Sequence, residues 1–359
     1  MSNLIGQSFI TGITGTSLND EERRFLEKEN IGGVILFTDN YESPAQLAEL
    51  INEIQQCRNE YPLFISVDHE GGRVIRFKSD FIQFPPMLQL SRLDSPKLVY
   101  SVAKIIAEEL TAVGVNLNFS PVCDILTNPD NKVIGDRAFG EDEETVSKYV
   151  SSVIRGFQTN GLIACAKHFP GHGGTTKDSH YDLPLVKDSI ESMREREFQP
   201  FIKSIKARVE FVMMAHLRVD CIDEDLPTTL SKKAYDIIRD EMRFNKIIIS
   251  DDMEMGAIEK HYEAGEAAVM ALNAGADIIQ YRSFAKTAEV YEKVQEAIKT
   301  KKLKNSDISD KFNRIQEVKK QYLSSYNPIY IPEITKKVNT AANQKFLKDL
   351  LEKIENSQT

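Results

Sequence analysis

The chain has 359 residues, of which 41% are hydrophobic, and its formal net charge at pH 7 is −9. This length and hydrophobic content allow a large core, either in one α/β barrel or in two ordinary domains. The negative charge and the lack of a strongly basic stretch argue against nucleic acid or an anionic membrane surface as a partner. No apolar segment reaches the roughly 18 residues that a membrane span needs.

The N-terminal sequence and the cysteines bear on the cellular compartment. Residues 1–17 lack the basic start and the small-residue cleavage site of a signal peptide. The four cysteines form no CxxC pair and lie in apolar surroundings; they are Cys57, Cys123, Cys165 and Cys221. This pattern is typical of reduced, mostly buried thiols and predicts a cytoplasmic protein without disulfide bonds.

Short apolar runs alternate with longer amphipathic segments along most of the chain. The runs cover residues 8–13, 33–37, 63–67, 114–119, 162–167, 211–216, 246–250 and 277–281. Near-continuous apolar runs are typical of parallel strands that are covered on both faces. Several amphipathic segments end in a glycine just before the next run, at Gly114, Gly161 and Gly275, where a left-handed residue turns the chain back to the sheet.

Eight strands separated by helices predict a single (β/α)8 TIM barrel over residues 1–330. A linker and an amphipathic helix are predicted over residues 331–359. The alternative is a doubly wound open sheet, which is weakened because no glycine-rich dinucleotide motif follows the first strand.

Charged or imidazole side chains follow four of the predicted strands at their C-terminal ends. Asp68 follows the third strand, Lys167 and His168 the fifth, His216 the sixth and Asp251 the seventh. In a barrel these ends meet at one rim, where enzymes of this fold have their active sites. Because such side chains are costly in an apolar barrel unless they are paired or used, four together predict a functional site.

The segment KHFPGHGGTTKDSH, residues 167–180, contains three of the six histidines. It fits three kinds of site: a metal centre, a phosphate-binding loop or an acid–base loop. The HxH pair and the HExxH spacing of common zinc sites are absent, and the GxxxxGK[ST] phosphate motif is not matched. Asp178 and His180 are two residues apart, so in an extended segment their side chains share one side, and a carboxylate beside an imidazole supports proton transfer near neutral pH. With Asp251 as a separate carboxylate, the pattern favours retaining glycoside hydrolysis, although most such enzymes use a second carboxylate as the acid.

Four stretches, KHFPGHGGTTKDSH, SDDMEMGAI, DHEGGRVIRF and VIGDRAFG, together resemble glycoside hydrolase family 3. The similarity is strongest to its single-domain bacterial β-N-acetylglucosaminidases of peptidoglycan recycling, and it spans residues 5–325. It implies that Asp251 is the nucleophile and that His180, paired with Asp178, is the acid and base. It also implies a sugar-binding set; the members are Asp68, Arg76, Arg137, Lys167 and His168. We expect His216 to line the same substrate site.

The resemblance implies an exo-acting β-N-acetylhexosaminidase without a metal or other cofactor. The implied substrate is a terminal β-linked GlcNAc, notably in GlcNAc–1,6-anhydro-MurNAc with or without a peptide, and the protein is expected to be a monomer. A β-N-acetylglucosaminide phosphorylase, a β-glucosidase, a non-catalytic sugar-binding barrel and a metal-dependent hydrolase remain alternatives. The sequence departs from the family pattern at His69, where glutamine is commoner, and at Asp39, where arginine is expected.

Several neighbouring residues are expected to support this site. Glu70 and Arg73 are predicted to pair with each other and hold the turn after the third strand. Asp124 is expected to order the loop that presents Arg137. His172 is expected to fix the loop by hydrogen bonds, while three glycines would act as hinges; these are Gly171, Gly173 and Gly174.

Overall fold

The computed structural model describes residues 4–175, 179, 183–324 and 326–358, and eight parallel strands in it form a closed barrel. In chain order the strands are β1 (Phe9–Thr11), β2 (Gly33–Leu36), β3 (Phe64–Val67), β4 (Leu117–Asn118), β5 (Ile163–Phe169), β6 (Phe211–Met214), β7 (Ile247–Asp252) and β8 (Ile278–Tyr281). Each strand pairs with the next along the chain, and β8 pairs with β1. The predicted TIM barrel is confirmed, and the open sheet is excluded.

Helices occupy the connections between the strands and continue after β8. The α-helices are Asp20–Lys28, Pro44–Gln56, Met87–Ser91, Pro96–Ala112, Glu143–Gln158, Ile190–Glu195, Gln199–Lys206, Lys232–Asp236, Gly256–Glu259, Ala264–Ala274, Phe284–Lys299, Asn305–Tyr322 and Ala341–Gln358. Two further short strands, Leu185–Val186 and Arg218–Val219, pair with each other outside the barrel. No helix of the described chain is long and apolar enough to cross a membrane.

Local signals explain where several of these elements begin and end. Asn19 caps the helix that follows it, because its side chain accepts the backbone N–H of Glu21 and Glu22 while the Glu22 carboxylate accepts the Asn19 N–H. The three glycines expected at helix-to-strand joints all have positive φ angles, between 81° and 140°. Their predicted left-handed role is therefore confirmed.

Apolar side chains fill the inside of the barrel and separate its two ends. Inward residues from all eight strands form one cluster, and Ile315 and Val318 of the helix Asn305–Tyr322 pack against it. Lys319 of the same helix lies over the ring of Phe64, at the first residue of β3. This helix closes the end of the barrel where the strands begin, so the opposite end is left for the polar residues.

The C-terminal segment packs on the outside of the barrel. Leu350 and Ile354 of the helix Ala341–Gln358 are buried in the main hydrophobic cluster, and the ring of Phe346 meets that of Phe84 edge-on. Glu109 accepts the backbone N–H of Asn339 at 2.8 Å. The helix Ala341–Gln358 is therefore docked on the barrel surface.

Three of the four cysteines are buried, as expected, and Cys221 is exposed. All four are free thiols.

Candidate active site

The C-terminal ends of β3 and β5 bring Asp68 and Lys167 into contact. The Lys167 ammonium lies 2.8 Å from Asp68 Oδ1, and the guanidinium of Arg76 lies 3.2 Å from Asp68 Oδ2. The Lys167 side chain is 2% exposed, so this cation is almost wholly removed from water. Burial alone would raise the pKa of Asp68, but the charges of Lys167 and Arg76 outweigh it and hold that pKa below its usual range. The contacts give Asp68 and Lys167 fixed orientations at the rim.

Glu70 extends this cluster to Arg137. Both carboxylate oxygens of Glu70 accept hydrogen bonds from Arg137, each at 2.8 Å, and Lys167 lies 2.6 Å from Glu70 Oε1. Burial would raise the pKa of Glu70, but the charges of Arg137 and Lys167 reverse the effect and keep the group ionised. Arg76, Asp68, Lys167, Glu70 and Arg137 therefore form one continuous ion network.

The predicted pairing of Glu70 with Arg73 is wrong. Arg73 bonds Asp136 at 3.3 Å and the backbone carbonyl oxygens of Lys132 and Val133 instead. The reason is burial: Glu70 is 3% exposed and needs strong buried cations, whereas the Arg73 side chain is half exposed and reaches the surface of the loop that carries Arg137.

Asp124 orients His168, the residue after Lys167. Asp124 is fully buried, and its Oδ2 lies 2.7 Å from Nδ1 of His168. Because a carboxylate only accepts, Nδ1 carries the hydrogen and Nε2 is left to face other groups. Asp124 Oδ1 also accepts the backbone N–H of His172 at 2.7 Å. Asp124 thus orders the start of the histidine-rich segment, whereas we had expected it to order the loop that presents Arg137.

His172 anchors the first half of the histidine-rich segment. Its Nδ1 lies 2.8 Å from Thr175 Oγ1 and its Nε2 lies 3.0 Å from Ser179 Oγ. Burial lowers the pKa of His172 to about 4, so the ring is neutral at pH 7. These contacts agree with the structural role expected for His172.

Gly173 allows a close backbone contact with the connection 120–141. A Cβ atom there would lie 1.7 Å from the carbonyl oxygen of Ile125. Asn131 donates to the carbonyl oxygens of His172 at 2.8 Å and of Gly173 at 3.2 Å. The hinge role expected for Gly173 stays a prediction; in this structure residues 171–175 contact the connection 120–141.

The predicted acid–base pair, Asp178 and His180, lies outside the described residues. Ser179, which stands between them in the sequence, is buried. Its carbonyl oxygen accepts the N–H of Ala257 at 3.1 Å, and Ala257 belongs to the short helix after β7. The histidine-rich segment and the end of β7 are thereby brought together.

Asp251 lies in β7 and points inward, as Ile247 and Ile249 do. Its Oδ1 accepts the backbone N–H of Asp252 at 2.8 Å. Burial would raise the pKa of Asp251, but the electrostatic effects of His168 and His216, together with this hydrogen bond, hold it below its usual range. The carboxylate is therefore ionised at neutral pH.

Asp252 has a different, structural set of contacts. Its carboxylate accepts from Arg282 Nε and from the backbone N–H of Glu254. These bonds tie the end of β7 to the end of β8.

His216 is fully buried at the end of β6. Its Nδ1 lies 2.7 Å from Thr229 Oγ1 and its Nε2 lies 2.9 Å from the carbonyl oxygen of Asp252. Both ring nitrogens of His216, which we expected to line the substrate site, therefore contact protein atoms. Within the described ranges no group of three or more His, Cys, Asp and Glu side chains is arranged to hold a metal ion.

Comparison with known proteins decides the family. The model of the glycosyl hydrolase family 3 N-terminal domain matches residues 5–318. The chain belongs to glycosyl hydrolase family 3.

Relatives of this family 3 chain agree in their enzyme class. The β-hexosaminidase of Hydrogenovibrio crunogenus is 38% identical over 291 residues, which cover 78% of this chain and 81% of that protein. The β-hexosaminidase of Tolumonas auensis is 39% identical over 273 residues, 74% of this chain and 80% of the other. A solved family 3 β-N-acetylglucosaminidase from Paenibacillus sp. superposes with a TM-score of 0.91 at 33% identity, covering 98% of this chain and 68% of that one. The predicted glycoside hydrolase of the β-hexosaminidase class is confirmed.

Sequence reasoning missed two parts of this family 3 site. The first is the link from Glu70 to Arg137 and Lys167, although a carboxylate two residues after Asp68 was a visible signal. The second is the role of Asp252, whose carboxylate joins β7 to β8. Of the two departures from the family pattern, His69 is buried against the rings of Phe77 and Phe81, and Asp39 is exposed.

Proposed function

We propose that this family 3 enzyme is a retaining exo-β-N-acetylglucosaminidase that forms a covalent intermediate on Asp251. The observation that carries the proposal is the combination of Asp251 with the ion network. A partly buried, ionised carboxylate at the end of β7 shares one rim with fixed hydrogen-bonding groups. A neutral sugar held by such groups places its anomeric carbon beside a nucleophile that needs no prior deprotonation.

The proposed reaction has two displacements at the anomeric carbon C1. First, a carboxylate oxygen of Asp251 bonds to C1 while the bond from C1 to the leaving oxygen breaks, and that oxygen takes a proton from His180. Water then attacks C1, His180 takes a proton from the water, and the bond to Asp251 breaks. Two inversions give retention of configuration. The role of His180, with Asp178 as its partner, rests on the family resemblance.

The sugar-binding roles follow from which atoms the network leaves unused. Asp68 and Lys167 are oriented by their mutual contact and by Glu70 and Arg76, so each can bond a sugar hydroxyl without rearranging. His168 offers its Nε2, because Asp124 holds Nδ1. Arg137 uses Nε and one N–H of each terminal nitrogen inside the protein, which leaves two N–H groups for a ligand.

For the natural substrate, we infer GlcNAc–1,6-anhydro-MurNAc with or without a peptide. This inference rests on the similarity of KHFPGHGGTTKDSH and its companion motifs to the enzymes of peptidoglycan recycling. The cytoplasmic location and the monomeric state are part of the same proposal.

The test is release of 4-nitrophenol from the β-GlcNAc and β-glucose aryl glycosides, with chelator present and phosphate absent. We expect the wild type to cleave the GlcNAc compound and Asp251→Ala to lose this activity. Asp310→Asn is a matched control, since Asp310 is an exposed aspartate on the helix that closes the other end of the barrel. Turnover that requires phosphate would identify a phosphorylase, and turnover that chelator abolishes would identify a metal-dependent hydrolase. Full activity in Asp251→Ala would refute the nucleophile assignment.

A further inference from the structure

Strand pairing is irregular at the end of β7, although Asp252 pairs with Gln280 of β8. On the β6 side the last paired residues are Met214 and Ser250, one residue before Asp251. On the β8 side the register shifts between Ile278 and Gln280. Asp251 and Asp252 are therefore not held by an ordinary strand ladder on both sides, and other contacts must fix them.

On the β8 side, two hydrogen bonds bracket the irregular stretch. The N–H of Gln280 donates to the Ser250 hydroxyl at 3.1 Å, and the N–H of Met253 donates to the Gln280 carbonyl oxygen at 3.0 Å. These bonds hold the chain before and after Asp251. The carbonyl oxygen of Asp252 accepts the backbone N–H of Met255 at 3.0 Å, and it is also bonded from the β6 side.

His216 supplies that bond with its side chain. Nε2 lies 2.9 Å from the carbonyl oxygen of Asp252. A carbonyl oxygen only accepts, so Nε2 carries a hydrogen and donates. The N–H of the same Asp252 donates to Asp251 Oδ1 at 2.8 Å. The imidazole thus holds the carbonyl group of Asp252, and the N–H group of the same residue orients the Asp251 carboxylate.

The ring of His216 is itself held in place. Its Nδ1 lies 2.7 Å from Thr229 Oγ1, and the hydroxyls of Thr228 and Thr229 each lie 2.7 Å from the carbonyl oxygen of Ala215. The segment LPTTLS therefore folds back onto the end of β6 and locks the imidazole. The same Thr229 hydroxyl that donates to the Ala215 carbonyl oxygen also contacts Nδ1.

We propose that His216 is a positioning residue that aims the nucleophile by holding the Asp252 backbone, with Thr229 setting the angle of its ring. This inference rests on the proposed function, in which Asp251 attacks the sugar. His216 acts here through Asp252 and makes no hydrogen bond to the substrate, since both of its nitrogens are used inside the protein.

The test compares His216→Leu, His216→Gln and Thr229→Val with the wild type. The probe is 5-fluoro-GlcNAc β-fluoride, which transfers its sugar to a carboxylate as the C1–F bond breaks and fluoride leaves. The bond forms between C1 and Asp251, and mass spectrometry measures how fast the glycosyl-enzyme accumulates. The second readout is the inhibition constant of GlcNAc, which reports sugar binding without bond formation. Thr287→Val is the matched control, a buried threonine whose hydroxyl bonds Thr11.

We expect His216→Leu to slow labelling on the order of 10- to 100-fold, as small misplacements of a reacting group do. The inhibition constant should stay within about threefold of wild type. His216→Gln, whose amide N–H can take the place of Nε2–H, should recover part of the rate, and Thr229→Val should show a smaller loss. If His216→Leu does not fold, the other two variants give the same comparison.

Two results would overturn the inference. One is an unchanged labelling rate in folded His216→Leu, or in both His216→Gln and Thr229→Val. The other is a weakened GlcNAc inhibition constant with a normal labelling rate, which would make His216 a sugar contact. Failure of the wild type to be labelled on Asp251 would refute the proposed function itself, and the positioning role with it.

Discussion

Lys319 is a buried cation at the closed end of the barrel, and replacing it should stabilise the protein. The side chain is 1% exposed; its ammonium donates to Gln7 Oε1 at 2.8 Å and to the Gly32 carbonyl oxygen at 2.9 Å. Each of these two acceptor oxygens still has another hydrogen-bond donor when Lys319 is replaced. Gln7 Oε1 still accepts from Gln316, and the Gly32 carbonyl still accepts from the N–H of Phe64. Lys319→Met therefore leaves a filled, apolar site without orphaned acceptors.

The magnitude follows from the pKa of Lys319, which burial lowers to about 7. An unfolded lysine has a pKa of about 10.4, so between these values the unfolded chain binds a proton that the folded chain does not. The free energy of unfolding of the wild type therefore rises with pH across this window. A pKa difference of one unit corresponds to about 1.36 kcal/mol. Burying the amine therefore costs about 4 kcal/mol at pH 7 and less than about 1 kcal/mol at pH 10.

Urea unfolding at pH 7 and at pH 10, followed by circular dichroism, measures this difference. Lys319→Met should be more stable than the wild type by about 3–4 kcal/mol at pH 7, and most of the gain should vanish at pH 10. Lys320→Met is the control, because Lys320 is the exposed neighbour on the same helix and should change little. A gain of equal size at both pH values, or a loss at pH 7, would show that the buried amine is not the cause.

Two further predictions concern the candidate active site. Glu70→Gln removes the carboxylate shared by Arg137 and Lys167. We therefore expect the free energy of unfolding to fall by about 3 kcal/mol and the KM to rise. Glu60→Gln, at an exposed glutamate, is the control and should change neither value. Equal KM values in both variants would contradict a role of Glu70 in aiming Lys167. Gly173→Ala puts a Cβ 1.7 Å from a carbonyl oxygen and should lower thermal stability and kcat, whereas Gly15→Ala meets no atom within 4 Å and should be neutral. Wild-type behaviour of Gly173→Ala would show that the loop is free to move away.

The sequence predicted the barrel because its signals are local. Each strand is a short apolar run, and the glycine joints before β4, β5 and β8 are needed wherever a helix turns back to the sheet. The rim position of Asp68, Lys167 and Asp251 followed from the same pattern, since the ends of parallel strands meet.

The contacts between loops could not be predicted in this way. Glu70 meets Arg137, 67 residues away in the chain, only because the connection 120–141 folds over the mouth of the barrel. Position 173 requires glycine because the backbone of Ile125 lies close to it, and the neighbouring residues in the sequence do not predict that contact. The expected pairing of Glu70 with Arg73 was wrong for this reason. Arg73 is near in the sequence, but the buried Glu70 pairs with Arg137 and Lys167, which are distant in the sequence.

The charges of the site suggest why so many ions are buried together. The network holds two carboxylates, Asp68 and Glu70, and three cations, Lys167, Arg76 and Arg137, so its net charge is +1. Asp251 supplies the compensating negative charge at the same rim, and Lys167 is among the groups that lower its pKa. In the proposed reaction that negative charge is lost when C1 bonds to Asp251, so the network would then favour the return of the carboxylate. An arrangement that keeps Asp251 ionised before the reaction therefore also favours release of the sugar from it afterwards.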